Sequence, residues 1–328
     1  MTLSRQQLVE ALRAVEYPTR KPSSGQMALV RLCVGDNCLS AETVNESSRF
    51  LFGAATGRHI TAHYAALMDA ASNAPGDELT LTVDGARLRV SCGKFKAFVA
   101  MEPADCWVER AATPVSGVLT VPSKSLAESL KFAIQCAYKE NGRPELESVI
   151  LSAAGGTLTV GASNGRVVAM SESECIGEGG LKIHFKAAAE IVAATEKSSV
   201  TLLGSSENST VVHCGNLRME FAKPAMVVHV IDQWRANIRP GLGAEICTAT
   251  VPKQRLCQAM EYGCSITGDA IPAVNLSVSG GLLRVDAAGR SGAMNDEIAC
   301  DDSRGETEIS LSGKMIPPML RAMRGDYV

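Results

Sequence analysis

Residues 148–170 read SVILSAAGGTLTVGASNGRVVAM, and this segment indicates the fold most directly. Two runs rich in strand-forming residues meet at Gly155-Gly156, a pair typical of a tight turn between antiparallel strands. A second turn sequence, SNGR at 163–166, leads into another apolar stretch. The segment contains no histidine, no paired carboxylates and no nucleophile beside a base. It therefore predicts strands joined by turns rather than a catalytic centre.

The same arrangement recurs on both sides of this segment. ELTLTVDGARLRVSC at 78–92 is punctuated by Asp84-Gly85, and VNLSVSGGLLRVD at 274–286 is punctuated by Gly280-Gly281. Alternation of apolar and polar residues with a period of two is typical of strands with one buried face. Antiparallel hairpins are therefore predicted near both ends of the chain as well as in its middle.

Six segments with a helical pattern alternate with these strands at regular spacing. They begin near residues 4, 61, 122, 185, 252 and 313, so successive starts lie 57 to 67 residues apart. In the third segment, four apolar residues recur on one helical face: Leu126, Leu130, Ile134 and Ala137. Such a stripe indicates a helix with one buried side. One helix followed by several strands, repeated six times, indicates an internal repeat.

Each repeat is longer and more helical than a propeller blade of about 40–45 residues. One helix on a small sheet leaves apolar surface exposed, so two repeats are expected to pair in each domain. The predicted fold class is α+β, with three domains at 1–114, 115–243 and 244–328. The stretches AATPVSG and RPGLGAE, both with Pro and Gly, supply the connections between the domains.

The composition excludes several classes of protein. Of the 328 residues, 46% are hydrophobic and 20% are charged, as in ordinary globular chains. No apolar run approaches the ~18 residues that a membrane-spanning helix needs. The N-terminal MTLSRQQLVEALRAV has the pattern of an amphipathic helix and lacks the apolar core of a signal peptide. A cytoplasmic protein without a membrane partner is expected.

Cysteine and histidine do not indicate a metal site. The eleven cysteines include no C-x-x-C spacing and are odd in number, so buried free thiols are expected. His59 and His63 stand four residues apart, but no third ligand lies near them in the sequence. No metal and no other cofactor is therefore predicted.

The charges are distributed unevenly along the chain. The net charge is −3, which by itself argues against a simple nucleic-acid-binding protein. The six helical segments, counted over 4–21, 61–74, 123–143, 182–197, 252–264 and 313–325, together carry +8, although the second carries −1; the remainder therefore carries −11. Positive helices on a negative body suit a surface that faces duplex DNA. The alternative explanation of this charge distribution is that Lys and Arg only make the solvent-exposed faces of amphipathic helices soluble.

Four segments of the chain resemble a known protein family. They are 76–107 (GDELTLTVDGARLRVSCGKFKAFVAMEPADCW), 141–170 (NGRPELESVILSAAGGTLTVGASNGRVVAM), 230–238 (VIDQWRANI) and 251–266 (VPKQRLCQAMEYGCSI). In order and spacing they resemble the bacterial DNA polymerase III beta subunit, the sliding clamp, including its phage, plasmid and truncated relatives. The resemblance extends over essentially the whole chain, although few residues are identical.

This resemblance implies three DNA-clamp domains, each built from two helix-plus-antiparallel-sheet units. In the family, two subunits associate head to tail into a ring whose inner face is lined by helices and whose outside is formed by sheets. The ring encircles double-stranded DNA, is placed there by a clamp loader and tethers a replicative DNA polymerase without catalysing a reaction. The family also has two or three further strands, so the C-terminal domain is expected to be incomplete at its C-terminal end.

The resemblance also implies an apolar pocket that takes clamp-binding-motif peptides. By position, it would comprise Leu146, Ser163, Gly165, Val167, Val168, Ile231 and Ile238. The glycine would let a peptide approach the backbone closely, and the aliphatic side chains would accept its anchors. Because this chain departs from the family at 166–168 and at Ile231, its peptide preference is expected to differ. The alternative for this segment is an ordinary type I′ hairpin over a core.

The implied contacts with DNA fall on basic residues in loops and on helical segments. They are Arg20, Lys21, Lys139, Arg143, Lys186, Lys253 and Arg255. For ring closure, the family positions place Lys94 and Lys96 opposite Asp296 and Glu297 of a second subunit. Opposite charges across paired strands contribute about 0.2–1 kcal/mol per pair, so apolar contacts would have to supply the rest.

Two other functions are compatible with the sequence. A clamp relative that is not loaded on DNA would serve as a decoy or scaffold for clamp-binding peptides. A thiol-dependent enzyme would use Cys106 or Cys264 as nucleophile with His59 or His184 as base. The sequence contains nothing that brings these thiols and imidazoles together, and it has no glycine-rich phosphate loop.

Overall fold

The computed structural model describes residues 1–20, 28–35, 38–45, 47–53, 58–103, 106–107, 115–139, 143, 146–224, 231, 234, 247–268 and 272–328. They belong to two compact units. The first contains Met1–Leu130, Ser148–Val160 and Glu172–Met226, and the second contains Lys131–Glu147, Gly161–Ser171 and Val227–Val328.

The described residues include six α-helices, one for each predicted helical segment. They are α1 (Arg5–Ala14), α2 (Tyr64–Asn73), α3 (Ser123–Cys136), α4 (Phe185–Thr195), α5 (Lys253–Thr267) and α6 (Ile316–Ala322). A 3-10 helix, Tyr17–Arg20, follows α1. Each α-helix comes directly, or within a few residues, after a strand. The strand–helix repeat read from the sequence is therefore confirmed.

The strands account for most of the remaining regular structure, and the strand pairs described are antiparallel. They are β1 (Thr2–Ser4), β2 (Leu29–Gly35), β3 (Cys38–Val44), β4 (Ser48–Phe52), β5 (Arg58–His63), β6 (Glu78–Asp84), β7 (Arg87–Cys92), β8 (Phe95–Ala100), β9 (Ser116–Pro122), β10 (Ser148–Ala154), β11 (Thr157–Ser163), β12 (Val168–Glu174), β13 (Gly179–His184), β14 (Val200–Ser205), β15 (Ser209–Cys214), β16 (Leu217–Ala222), β17 (Thr248–Thr250), β18 (Ala273–Ser279), β19 (Leu282–Gly289), β20 (Gly292–Ala299), β21 (Asp302–Arg304) and β22 (Thr307–Ser312).

Five sheets are formed by these strands. Their orders are β1-β6-β7-β8, β5-β2-β3-β4-β16-β15-β14-β9, β12-β11-β10-β13, β17-β21 and β20-β19-β18-β22. The glycine pairs predicted to make turns do so, because Gly155-Gly156 separates β10 from β11 and Gly280-Gly281 separates β18 from β19. The predicted α+β class with antiparallel sheets is confirmed.

The first helix shows why these segments become helical. Ser4 and Gln7 form a capping box, in which each side chain satisfies a backbone N–H of the other residue. Leu8 and Leu12 are fully buried, as is Leu67 of α2, the helix against which α1 packs. The apolar stripe thus determines which face of the helix is covered.

The second unit has its own core around α5 and α6. Met260 of α5, Val274 of β18 and Val285 of β19 are fully buried in one cluster. Two consecutive prolines, Pro317 and Pro318, lie in the first turn of α6, directly after its first residue Ile316. A proline there removes no helical hydrogen bond, which is why the sixth segment can still be a helix.

The eight-stranded sheet joins residues that the sequence analysis assigned to the first and second domains. Its junction is the antiparallel pairing of β4 with β16, in which Arg49 lies opposite Glu220 and Phe50 lies opposite Met219. Alternate residues of a strand point to opposite faces, so the junction has an apolar face and a charged face.

Aromatic rings stabilise one face of this junction. Tyr17 of the 3-10 helix stacks on Phe50 at 5.5 Å between ring centroids, and Phe50 meets Phe221 edge to face at 5.3 Å. Such pairs contribute about 0.5–1.5 kcal/mol beyond their buried area.

Ion pairs stabilise the other face. Arg49 Nε lies 2.5 Å from Glu42 Oε1, and Arg49 Nη1 lies 3.9 Å from Glu220 Oε1. Arg218 Nη2 also lies 2.7 Å from Glu220 Oε1. The two carboxylate side chains are only 9% and 5% exposed, so this group of charges is largely removed from water.

Candidate functional site

The turn after β11 is built by its own side chains. Ser163 Oγ donates to Val167 O at 2.9 Å and accepts from Gly165 N at 3.0 Å. Asn164 Oδ1 accepts from the backbone N–H groups of Arg166 and Val167, both at 3.0 Å. These bonds hold the turn in one conformation before any ligand arrives. Four residues separate β11 from β12, and Asn164 N donates to Val167 O at 3.3 Å across this connection.

Gly165 is the point of closest approach in this turn. Its φ of +84° is in the left-handed region that favours glycine. A Cβ placed on Gly165 would lie 3.4 Å from Leu146 Cδ1 and 3.3 Å from Arg143 Nη1. A side chain at position 165 would therefore occupy the space between the turn and these two residues.

The segment that carries Leu146 is also fixed. Leu146 N donates to Arg143 O at 2.9 Å, closing a turn, and Leu146 O accepts from Tyr138 N at 3.0 Å, just past the end of α3. Leu146, Ser163, Gly165 and Val167 of the predicted pocket are thus brought together around one turn.

Two other predicted pocket residues are among those that the structure describes. Val168 is half-buried at the start of β12, and Ile231 is 4% exposed. Ile238 lies outside the described residues. Trp234, which the sequence analysis did not select, lies against β11, because its Cζ3 would be 3.2 Å from a Cβ on Gly161. An aromatic residue inside the quoted segment 230–238 was the only signal for it.

Arg20, predicted to contact DNA, is paired with acidic residues of its own chain. Its Nη1 lies 3.1 Å from Glu190 Oε1 on α4, and its Nε lies 3.6 Å from Glu16 Oε1. Burial raises the pKa of Glu190 above its usual range, and the Arg20 guanidinium acts in the opposite direction. Lys21, its predicted neighbour in the DNA contact, lies outside the described residues.

The remaining residues predicted to contact DNA differ in what their charged groups contact within the chain. Lys253 Nζ donates to Met323 O at 2.9 Å, and Arg255 Nη2 lies 3.0 Å from Asp296 Oδ2. Lys139 is exposed after the end of α3. Lys186 is exposed in the first turn of α4, where its Nζ lies 5.7 Å from the centre of the Phe185 ring. Arg143 is exposed beside Gly165 rather than on a helix.

One contact of Lys253 recurs in the first unit. Arg5, at the start of α1, donates from Nη1 to Ala74 O at 3.0 Å, at the C-terminal end of α2. Lys253, at the start of α5, does the same for the C-terminal end of α6. A cation at the C-terminal end of a helix donates hydrogen bonds to carbonyl groups that lack a partner within the helix, and it interacts favourably with the helix dipole. The sequence analysis did not select Arg5 for this contact, because its acceptor, Ala74 O, lies 69 positions away in the chain.

The pH dependence of stability tests the environment of Glu190. A carboxyl whose pKa is raised by folding stabilises the protein below its unfolded pKa, and that stability is lost as the pH rises through the folded pKa. The Glu190→Gln variant should therefore gain stability relative to the wild type as the pH rises from 4 to 7. Thermal unfolding across this range measures the difference, and a difference that stays constant with pH would contradict the prediction.

The residues predicted for ring closure lie on edge strands of their sheets or, for Lys94, in the turn before one. Lys96 is exposed on β8, Lys94 is exposed in the turn before it, and Phe98 of the same strand is 52% exposed. Asp296 and Glu297 lie on β20, the edge of the last sheet. Each has a partner in its own chain, since Asp296 pairs with Arg255 and Glu297 lies 2.8 Å from Arg284 Nε.

The thiols and imidazoles of the thiol-enzyme alternative lie in different surroundings. Burial raises the pKa of the Cys264 thiol, which disfavours the thiolate that would act as nucleophile. His184 Nδ1 accepts from Lys186 N, so this ring caps α4. Cys106 is exposed, and so is His59 on β5. Within the described ranges, no group of three potential metal ligands occurs.

No described helix combines the length and apolar character that crossing a bilayer requires. The cysteines whose side chains are described are all free thiols, ten in number.

The sequence matches no protein-family model and no curated protein. Solved structures, in contrast, match over the full chain. A DnaN sliding clamp (DNA polymerase III subunit beta) from Pseudomonas aeruginosa, bound to griselimycin, has a TM-score of 0.88 at 16% identity, covering 100% of this chain and 90% of that one. A beta sliding clamp from C. crescentus has a TM-score of 0.86 at 17% identity, covering 99% and 90%. The chain therefore has the three-domain fold of the bacterial DNA polymerase III beta sliding clamps.

Proposed function

We propose that this protein is a DNA sliding clamp, a non-catalytic processivity factor that encircles double-stranded DNA and tethers a replicative polymerase. The observation that supports this most is the similarity to the P. aeruginosa clamp over 100% of the chain at a TM-score of 0.88. In this proposal two copies associate head to tail, a clamp loader places them on DNA, and partners bind through a linear peptide in the pocket beside Gly165.

A closed ring on DNA does not depend on tight binding, because it leaves the duplex only by opening or by sliding off an end. Moderate attraction is then sufficient, and strong phosphate contacts would slow sliding. The six segments that contain the helices and their flanking residues carry +8 and the rest of the chain carries −11, which supports attraction limited to these segments. Of the predicted cations, the exposed Lys139 and Lys186 suit weak phosphate contacts best.

The clamp function can be tested through the closed ring that it requires around circular DNA. The protein, loaded by a bacterial clamp loader on nicked circular DNA, should remain bound during gel filtration and should be lost after the DNA is linearised. Addition of a replicative polymerase on a primed circle should give longer products per binding event. Equal retention on circular and linear DNA, or none on either, would contradict the clamp function.

A clamp-like scaffold that binds peptides but is not loaded on DNA is the alternative. The ion pairs of Arg20 and Arg255 within their own chain favour it, because these cations are already partly neutralised. In that case the protein would bind partner peptides but would never be retained on circular DNA.

Ring closure leads to a prediction about β8. The Lys94→Glu, Lys96→Glu double variant should dissociate about tenfold more readily, since two cross-strand charge pairs with β20 of the second copy would become repulsive. Sedimentation velocity over a range of concentrations measures the change. A matched variant, Lys124→Glu with Lys197→Glu, alters the net charge equally at exposed positions elsewhere. Similar dissociation of both variants would argue against a β8–β20 interface.

A further inference from the structure

Strands β9 and β14, which pair at one edge of the eight-stranded sheet, carry apolar side chains on both of their faces. On one face, Leu119 and Leu203 are fully buried in the core. On the other face, Val118, Val200 and Leu202 are exposed. An antiparallel sheet with one face on a core usually carries polar residues on the face that meets water. The apolar residues on the exposed face of this strand pair therefore call for an explanation.

Ile176 extends this apolar face beyond β9. Its N–H donates to Thr120 O at 2.9 Å and its carbonyl accepts from Thr120 N at 2.8 Å, so the two residues form an antiparallel bridge. Residues directly opposite each other point to the same face, and Thr120 is also opposite Leu202. The Ile176 side chain is 74% exposed. Together, Val118, Ile176, Val200 and Leu202 form what is named here the β9 patch.

The backbone under the β9 patch is fixed. Gly177, directly after Ile176, has a φ of +104°, in the region that favours glycine. A Cβ placed on it would lie 2.6 Å from Val118 O, so this segment lies closely against β9. A ligand therefore meets side chains on a backbone that is already ordered, which reduces the entropy lost on binding.

The first repeat of the chain shows that the fold does not require apolar residues at these positions. There β1 pairs with β6 as β9 pairs with β14, and in both cases a helix begins directly after the first strand of the pair. Counted from the helix start, Val200 and Leu202 correspond to Glu78 and Thr80. Because polar residues serve equally well in the first repeat, the β9 patch is a feature of the second domain and not of the fold.

Exposed acids border the β9 patch at Ile176. Glu174 and Glu178 lie two residues before and two residues after it, and both are exposed. Lys197, which precedes β14, is balanced by the adjacent Glu196, and both of these are also exposed. The margin of the patch is therefore acidic overall, which favours a partner with Lys or Arg beside its apolar side chains and disfavours an anionic lipid surface.

The size of the β9 patch limits what it can bind. Four partly exposed aliphatic side chains offer on the order of 300 Å² of apolar surface, whereas a stable interface between two proteins buries about 800 Å² on each partner. We propose that the β9 patch binds a short linear segment of a partner protein, with two or more aliphatic side chains flanked by Lys or Arg. This interaction goes beyond the clamp function and shares no residue with the pocket predicted around Gly165.

Synthetic peptides test the proposal. Fluorescein-labelled decapeptides would carry two central Leu, Ile or Val residues, two or three positions apart, flanked either by two Lys or by two Glu residues. Fluorescence anisotropy with the intact protein should show about tenfold tighter binding of the best Lys-flanked peptide than of its Glu-flanked counterpart. The same affinity should be measured in the Gly165→Val variant, because the peptide does not use that pocket.

A double variant locates the apolar contact. Leu202→Thr introduces the residue that the first repeat has at the corresponding position, and Ile176→Thr shortens the most exposed side chain of the patch. Together they should weaken binding of the Lys-flanked peptide about tenfold. The control is Ile309→Thr, which shortens an exposed isoleucine of β22 in the second unit. Circular dichroism verifies that all variants are folded.

A second pair of variants locates the charge contact. Glu174→Gln with Glu178→Gln should remove most of the difference between Lys-flanked and Glu-flanked peptides. Glu306→Gln with Glu308→Gln removes the same charge from exposed positions in the second unit and should leave the difference unchanged. Equal effects of the two pairs would mean general attraction to an acidic protein and would overturn the proposal.

The remaining outcomes are also decisive. Peptide binding that persists in the Leu202→Thr, Ile176→Thr protein, or that is lost equally in Ile309→Thr, would overturn the proposal. So would the absence of binding by every Lys-flanked peptide. If, in that case, sedimentation velocity shows species larger than a dimer that the double variant lacks, the β9 patch is a contact between copies of this chain instead. Loss of DNA retention without loss of peptide binding would refute the clamp function and leave the β9 patch in place.

Discussion

Replacing Arg49 by alanine is expected to lower the free energy of unfolding by about 3–5 kcal/mol. Arg49 stands between Glu42 and Glu220 at the junction of β4 and β16, and both carboxylate side chains are less than 10% exposed. Without the guanidinium, Glu42 loses a charged partner, and the two acids are left near each other away from water. The penalty is that of leaving buried charges incompletely paired, which exceeds the net contribution of an intact pair.

Denaturant-induced unfolding of wild type and variant measures this effect. The control is Arg284→Ala, which removes an arginine whose ion pair with Glu297 is about half exposed on both sides. Exposed pairs contribute about 0–1 kcal/mol, so the control should change stability little. Combining Arg49→Met with Glu42→Gln should recover much of the loss, because fewer unpaired charges remain buried. Similar small losses for Arg49→Ala and Arg284→Ala would show that the junction charges are not effectively buried.

Replacing Gly165 by valine is expected to weaken binding of a clamp-binding-motif peptide about 30-fold or more, which corresponds to about 2 kcal/mol. The new side chain would enter the space between the turn, Leu146 and Arg143, where even a Cβ is in tight contact. It would also disfavour the positive φ that the turn requires.

The matched control for this prediction is Gly85→Val. Gly85 also has a positive φ, +59°, in a turn between two strands, but nothing lies within 4 Å of a Cβ placed there. Both variants share the backbone penalty, and only Gly165→Val fills the proposed pocket. Peptide titrations by anisotropy, with circular dichroism to verify folding, separate the two effects. Unchanged peptide affinity in a folded Gly165→Val protein would place the peptide site elsewhere.

Several elements of the fold could be read from the chain because their causes are local. The apolar stripe around Leu126 and Leu130 predicts α3, and the glycine pairs at 155–156 and 280–281 predict turns that the structure contains. Helical periodicity, strand alternation and turn glycines act within about ten residues, so a single sequence contains them. The repeat of these signals at about 60 residues then indicated the number of helices.

The candidate site was predictable only in part. The turn glycine and Leu146 were found through the resemblance and are neighbours in the structure. The position of Arg143 beside them, and the packing of Trp234 on Gly161, were not predicted. Both depend on which loops lie next to each other in the folded chain, and no periodic pattern in the sequence indicates which loops these are.

By itself, the sequence determined the class of the protein: helices, hairpins and their sixfold repetition, together with cations concentrated in the helical segments. Only the tertiary structure decided which charges are already neutralised. Arg20 meets Glu190 across 170 positions of the chain, and Arg49 joins acids from two strands of one sheet. The physical reason is that secondary structure follows from interactions between near neighbours, whereas an ion pair depends on a distance of a few ångströms that only the folded chain brings about.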